Sequence, residues 1–493
     1  MRFIQKKKVL QAIATMKEVH TYIQNKCGQA EIEPVYDVLA QLQEMAIKIG
    51  SIVEDNTDNA PQLIAELERY CEKLYECTLQ LENYEITAER NEEMQCLLGG
   101  IEGLAQEIKA KVKIAFFPYK YSMWDSLESI WIAASRDSNC ECQVVPIPYY
   151  TRDENGNFSL LHYEGEAYAK ACRIIDYKEY FLEKEQPDIM YIHNPYDQYN
   201  KVTRVDPRFF SGELKKYGGI LVYVPYYLSG DCMEYENLNI AYCKGIINSD
   251  YIILQSEELK KAYKYWGFPE KRLLALGSPK IDAVKRISQK ELFLDKKWEM
   301  VIEGKKTILL NTSIGSVLYD NNYLLKLKTD VQTVLSEDKL ALIWRPHPLL
   351  YDTIRGMDSA STEQYEELVR IITNAANAVL DTNSDAAAAI KFSDAMISDY
   401  SSLVLQYTFT GKPTFLWVGS SKKRSKYVFC DYYKNYFFED GITLKSFLKM
   451  VQEGADANKE ERIWAVSVGM NNTDGTCGEK VHNTIYHKWV THS

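Results

Sequence analysis

No apolar run in the sequence reaches the roughly 18 residues that a helix needs to cross a bilayer. The basic start, Met1 to Lys8, has no apolar core of signal-peptide length behind it, so a cytoplasmic protein is expected. The eleven cysteines include no Cys-x-x-Cys pair, and Cys140 and Cys142 are too isolated to suggest zinc. Reduced, mostly buried thiols are expected instead. Positive charge is also in deficit: 58 Lys and Arg face 69 Asp and Glu, a net charge of -11 that argues against a nucleic-acid binder. No Asp-x-Asp pair is present to chelate a nucleotide-bound cation, and no metal or other cofactor is expected.

What is present is an ordinary globular composition, 46% hydrophobic and 26% charged, long enough for two or three domains. Residues 1–110 read as helical throughout. Leu39, Leu42, Met45, Ala46 and Ile49 keep helical spacing, as do Leu63, Leu67, Leu74 and Leu79, and then Leu97, Ile101, Leu104 and Ile108. Breaks near Cys27-Gly28, from Asp55 to Pro61 and from Asn83 to Thr87 divide the region into about four helices, a bundle or a pair of hairpins. No cluster of catalytic residue types occurs in it, and the lone His20 reads as a surface or packing residue. The Lys6-Lys7-Lys8 cluster fits a solvated helix face better than a contact with an anionic membrane surface. The region is a candidate for homo-oligomerisation or peripheral membrane docking, and equally for a structural appendage.

At Lys113 the pattern changes period, opening a first α/β domain over residues 111–283. Strands are expected at Lys113–Phe117, Gln143–Pro148, Pro187–Ile192, Gly219–Val224 and Tyr251–Ser256, with Ser122 capping a helix whose apolar face is Leu127, Ile130 and Trp131. The third strand runs into His193-Asn194-Pro195-Tyr196-Asp197. This reads either as an Asn-Pro turn with a hydrogen-bonded histidine or as an acceptor site with His193 or Asp197 as general base. Gly277 to Asp282 reads as a turn at a domain junction with Lys280 free to face the cleft, and residues 284–304 connect to the next domain. Asp125 and Asp231 are further cleft candidates.

The second α/β domain, residues 305–475, starts with the strand Lys306–Leu310. Its following loop, Asn311 to Ser316, contains Ser313 and offers small residues and free amides suited to a phosphate. Two apolar runs then end in polar motifs. Leu340–Trp344 leads into Arg345-Pro346-His347-Pro348, where two prolines stiffen the loop and Arg345 brings a forked cation. Ala395–Ile397 leads into Ser398-Asp399-Tyr400-Ser401-Ser402, which opens the helix Leu403–Phe409. Strand carboxyl ends are where open α/β sheets bind ligands. Either motif alone reads as a rigid turn or a helix cap; together they read as a diphosphate cradle of Arg345, His347, Asp399, Ser401, Ser402 and Ser313. The loop Asn471–Gly478 reads as a capped helix start or as part of the cleft lining, and residues 476–493 as a terminal helix.

Trp344-Arg-Pro-His-Pro348, Asp394-Ala-Met-Ile-Ser-Asp-Tyr-Ser-Ser402, Thr410-Gly-Lys-Pro413 and Gly277-Ser-Pro-Lys-Ile-Asp282 resemble the CDP-glycerol glycerophosphotransferase family of teichoic-acid polymerases and primases. The resemblance runs from about Lys111 to the carboxyl end. It implies a GT-B-like pair of Rossmann-type domains, here behind an amino-terminal α-helical bundle, with the CDP-alcohol donor held by the second domain. His347 would then contact the donor diphosphate, and Arg345, Ser401 and Ser402 would complete the site. The implied activity moves glycerol phosphate from CDP-glycerol to a hydroxyl of a glycan or lipid-linked, teichoic-acid-type polymer at the inner face of the membrane and releases CMP. The family also carries a Trp-His-Gly stretch whose histidine is the base for the acceptor hydroxyl. Here the corresponding strand reads Leu221-Val-Tyr-Val-Pro-Tyr-Tyr227, without histidine. His193, Asp197 or Asp231 then takes that role, or the acceptor differs, or transfer is lost. The competing readings are a glycosyltransferase using a nucleotide sugar and a nucleotide-binding scaffold without turnover.

Overall fold

The computed structural model describes all residues except 27–32, 58–59, 81–87, 154, 201, 230–234, 288–291, 293, 295, 321, 384–385, 400, 418–432 and 493. The chain divides into two compact units: residues 1–114 with 135–142 and 489–493, and residues 115–134 with 143–488.

The first unit contains four helices, α1 (Phe3–Lys26), α2 (Glu33–Asn56), α3 (Pro61–Gln80) and α4 (Ala88–Glu107). Leu39, Leu42, Ala46 and Ile49 are buried, as their spacing predicts. On α3 the buried stripe is Leu63, Leu67, Tyr70, Leu74 and Cys77, and Leu79 falls off it into solvent. On α4 the stripe is Met94, Leu98, Ile101 and Ala105, one position away from the expected Leu97 and Leu104. His20 is wholly buried: Asn91 Oδ1 lies 2.8 Å from its Nδ1 and Tyr70 OH 2.6 Å from its Nε2. Asn91 Nδ2 donates in turn to the His20 carbonyl at 2.9 Å. Burial lowers the His20 pKa, so the ring is neutral and ties α1, α3 and α4 through one satisfied polar cluster.

The strands, numbered along the chain, are β1 (Val112–Phe117), β2 (Cys140–Val144), β3 (Tyr149–Arg152), β4 (Phe158–His162), β5 (Ile189–Ile192), β6 (Thr203–Val205), β7 (Ile220–Tyr223), β8 (Tyr251–Leu254), β9 (Leu273–Ala275), β10 (Lys306–Thr312), β11 (Leu340–Pro346), β12 (Ala378–Leu380), β13 (Ala395–Ser398), β14 (Thr414–Leu416) and β15 (Tyr436–Phe437). They form a sheet of order β2-β1-β5-β7-β8-β9, a sheet of order β12-β11-β10-β13-β14-β15, and a small sheet β4-β3-β6. The second sheet is parallel throughout. Both of its faces are covered: Leu309, Ile343 and Met396 pack into one core and Ile308, Leu310, Leu342, Trp344 and Ile397 into another. That two-sided burial is why its strands read as unbroken apolar runs.

The small antiparallel sheet has no such run, since its strands are three to five residues long and β4 is largely exposed. The expected strand Gln143–Pro148 is shifted to Cys140–Val144. Beyond it only Val145 and Ile147 donate to the neighbouring chain, at Phe116 O and Pro118 O, because Pro146 and Pro148 have no N–H to give.

Gly277 to Asp282 is not a simple turn. Gly277 has φ +93°, and a Cβ there would lie 2.1 Å from the Asn471 carbonyl oxygen. Pro279–Ile287 is a helix, and Asp282 accepts from the amides of Cys477 at 3.1 Å and Gly478 at 2.7 Å, capping the final helix Cys477–His492. Asn471 Nδ2 and Asn472 Nδ2 donate to the carbonyls of Ala275 and Leu276. The Asn471–Gly478 loop therefore docks beside β9 and does not line the cleft.

Candidate active site

Three neighbouring strands of the second sheet end together. In register, Asn311 on β10 lies opposite Arg345 on β11 and Ser398 on β13. A cleft of about 500 Å³ opens there, lined by Asn311–Ser313, Arg345–Pro348, Ser401 and Gln406 from this half and by Tyr121–Asp125, Tyr226 and Lys280 from the other.

The His347 loop is held at several points. The His347 amide donates to Thr312 O at 2.9 Å, and the Trp344 indole to Thr312 Oγ1 at 3.2 Å. Leu349 N donates to His347 Nδ1 at 3.1 Å, which fixes the proton of the neutral ring on Nε2. Burial, and then the charge of Lys120 from the facing half, hold the His347 pKa below the usual imidazole value. The ring is a neutral N–H donor on the cleft wall.

Ser401 occupies the N-cap position of the helix Ser402–Thr408, with extended backbone, but its hydroxyl makes no bond to the helix amides. It accepts instead from Asn311 Nδ2 at 2.9 Å, while Ser398 Oγ lies 2.8 Å from the same nitrogen. Asn311 fills one of the two lone pairs of the Ser401 hydroxyl, which has its own proton to offer the cleft. Asn311, expected only as the head of a phosphate-suited loop, is thus a site residue through its side chain. Its only sequence signal is its place at the end of the central strand. Ser402 begins the helix.

Arg345 Nη1 meets Asp381 Oδ2 at 2.6 Å, and Asp381 is itself fixed by Asn383 Nδ2 at 2.8 Å. The guanidinium is therefore held in place, and Arg345 lines the cleft.

Several expected roles change. Asp399 is buried and accepts from Ser313 N at 2.9 Å and from Tyr323 OH at 2.9 Å. With its oxygens taken up by these donors, Asp399 anchors the neighbouring loop and is not offered to a diphosphate. By the same bonds the Ser313 amide is not free for phosphate, although Ser313 does line the cleft. His193 is wholly buried, with Nε2 accepting from Tyr119 N at 3.2 Å and Nδ1 lying 3.0 Å from Ser126 Oγ. Burial lowers its pKa to about 3, and neither nitrogen is open to an acceptor. Asp197, at φ +48°, is buried on the Ser211 amide and hydroxyl and lies outside the cleft lining. Ser122 caps nothing: Tyr121–Ser126 is a 3-10 helix whose start is held by Glu164, which accepts from Tyr121 N at 2.7 Å and from Tyr149 OH at 2.8 Å. Lys280 faces the cleft but is not free, since its ammonium lies 2.6 Å from both carboxyl oxygens of Asp125. Gln406 Nε2 donates to Asp125 Oδ2 at 3.2 Å. Asp231 lies outside the described residues.

No curated protein matches the chain in sequence. Among solved structures, the wall teichoic acid polymerase TagF, determined with CDPG, aligns over 86% of this chain and 98% of its own with a TM-score of 0.51 at 14% identity. A Listeria monocytogenes protein described as a UDP-N-acetylglucosamine 2-epimerase aligns over 78% and 98% with a TM-score of 0.51 at 13% identity. Staphylococcus aureus MnaA, determined with UDP, gives 78%, 98% and 0.50 at 13% identity. These likenesses establish a GT-B-like α/β fold, to which the amino-terminal helices are added. The family model of CDP-glycerol:poly(glycerophosphate) glycerophosphotransferases matches residues 239–487, just over half of the sequence. The chain belongs to that family of CDP-glycerol-using transferases.

Proposed function

We propose that the protein transfers glycerol phosphate from CDP-glycerol to a hydroxyl of a glycan or lipid-linked, teichoic-acid-type polymer and releases CMP. The observation that carries this reading is the presence in one cleft of three donors from the ends of β11 and β13, on either side of β10: the His347 Nε2–H, the Ser401 hydroxyl and the Arg345 guanidinium. Such a set matches the oxygens of a diphosphate and requires no rearrangement as charge develops. The acceptor oxygen forms a bond to the β-phosphorus in line. The bond from that phosphorus to the bridging oxygen breaks, and CMP leaves with the electron pair. His347 and Arg345 meet the charge growing on the phosphoryl and leaving oxygens.

The transfer proposed is metal-independent. The two carboxylates in the cleft lining, Asp125 and Glu128, already face Lys280 and Arg286, the latter pair at 3.1 Å. The TagF structure with CDPG supports the choice of donor.

His347→Ala removes the fixed donor and is expected to lower CMP release from CDP-glycerol by about 10²–10³-fold. Unchanged release would show that the site has been misplaced. A thermal-shift series with CDP-glycerol, CDP-ribitol and UDP-sugars tests the donor, and stabilisation by UDP-sugars alone would overturn the reading.

A further inference from the structure

We infer that Asp125, through Oδ1, is the proton acceptor for the attacking hydroxyl, with Lys280 and Gln406 as its positioning residues. The inference rests on the proposed transfer, which liberates a proton as the acceptor oxygen bonds to phosphorus. That proton needs a lone pair inside the cleft.

Few described side chains lining the cleft can supply one. Lys280 and Arg345 are cations. His347 has Nδ1 filled by Leu349 N–H and a hydrogen on Nε2. Tyr226 is a phenol that burial keeps protonated. Glu128 is turned to Arg286, with 13% of its side chain exposed. Asp125 remains, with 22% of its side chain exposed.

Its geometry suits the task. A carboxylate offers about four acceptor positions. Lys280 Nζ takes one on each oxygen, and Gln406 takes the second on Oδ2. Among the described contacts the position left is on Oδ1. Gln406 lies on the same helix whose N-cap is Ser401, so the element that presents a donor group to the diphosphate also orients the carboxylate. The Lys280 charge offsets that of Asp125, so an anionic donor can enter beside it. In the step, the acceptor O–H bond breaks as the O–P bond forms. The proton goes to Asp125 Oδ1, and CMP carries away the electron pair of the broken P–O bond.

The test uses the full chain with CDP-glycerol and a membrane or glycan extract as acceptor. Asp125→Asn keeps the size, removes the basic oxygen and turns an amide nitrogen toward Lys280 or Gln406. It is expected to bind CDP-glycerol within about twofold of the parent and to release CMP about 10²–10⁴-fold more slowly. Asp125→Glu is expected to restore part of the rate. Asp125→Ala is expected to be as slow as Asp125→Asn and to regain turnover when formate or acetate is added, because a free carboxylate can take the vacated position. Turnover by Asp125→Asn at the parental rate would overturn the inference. So would loss of CDP-glycerol binding in step with turnover. Should Asp125→Asn fail to fold, Asp125→Ala decides: turnover that formate or acetate does not raise would overturn the inference. If the parent binds CDP-glycerol but releases no CMP with any acceptor, the transfer reading fails and takes this inference with it. If the parent turns over and Asp125→Asn does too, only the assignment of Asp125 fails.

Discussion

Replacing His193 separates its two readings, base or brace. Ser126 gives its own proton to Met123 O at 2.7 Å, so Nδ1 of His193 must carry the hydrogen between them, and Nε2 accepts from Tyr119 N. His193→Ala therefore leaves a buried main-chain N–H without its partner, worth about 1–3 kcal/mol. The cavity adds about 2 kcal/mol, giving a loss of about 3–5 kcal/mol near neutral pH. The pH dependence is more telling. The folded-state pKa, about 3, lies below the ordinary 6.5. The unfolded chain therefore takes up the proton first, and stability falls as pH drops through 6.5 toward 3. Two pH units below 6.5, this one residue costs the parent about 3 kcal/mol. The variant lacks that cost, so its deficit relative to the parent should shrink by about the same amount between pH 7.5 and pH 4.5. Urea unfolding followed by tryptophan fluorescence at the two pH values reads both quantities. A variant with parental stability at both pH values and no CMP release would restore His193 as the base and refute the brace.

Two further substitutions probe the frame of the donor half. Lys412 donates to the carbonyls of Ile390, Lys391 and Ser393 and caps the helix Ala387–Phe392; burial lowers its pKa to about 8. Lys412→Met should cost about 3 kcal/mol at pH 7.5. It should also abolish a rise in parental stability between pH 8 and 10.5, where the unfolded chain holds the extra proton; urea midpoints across that range check both. Asp399→Asn turns an amide nitrogen toward Ser313 N–H or Tyr323 OH. It should weaken CDP-glycerol binding about tenfold without a direct contact, as read by calorimetry.

The strand ends were legible because two-sided burial leaves a plain mark: Leu340–Trp344 and Ala395–Ile397 are unbroken apolar runs, and the prolines around His347 are visible as letters. Partners were not legible. Asp125 meets Lys280 across 155 positions and Gln406 across 281, and Asn311 meets Ser401 across 90. Periodicity reports how one element is buried, not which polar atom another element brings to it. The same blindness hid that Asp399 faces Ser313 and Tyr323 instead of a ligand, and that Glu164, not Ser122, sets the start of the 3-10 helix.

The motifs that carry the family resemblance divide by what they touch. Gly277 and Asp282 seat the last helix and Lys412 caps another, and none of these three lines the cleft, although Lys280 of the first motif does. Arg345, His347 and Ser401 do line it. A sequence match that sums over all four motifs therefore weighs frame and chemistry alike, and a chain could keep the frame after its chemistry had changed. What bears on transfer is the set of residues that line the cleft. In this protein His347 has its proton fixed on Nε2 by Leu349, the Ser401 hydroxyl is held by Asn311, and Arg345 is held by Asp381. Each restraint comes from a residue outside the motif's recognisable letters. A motif whose donors are held ready by neighbours that serve no other visible end is better explained by a working diphosphate site than by a turn and a helix cap.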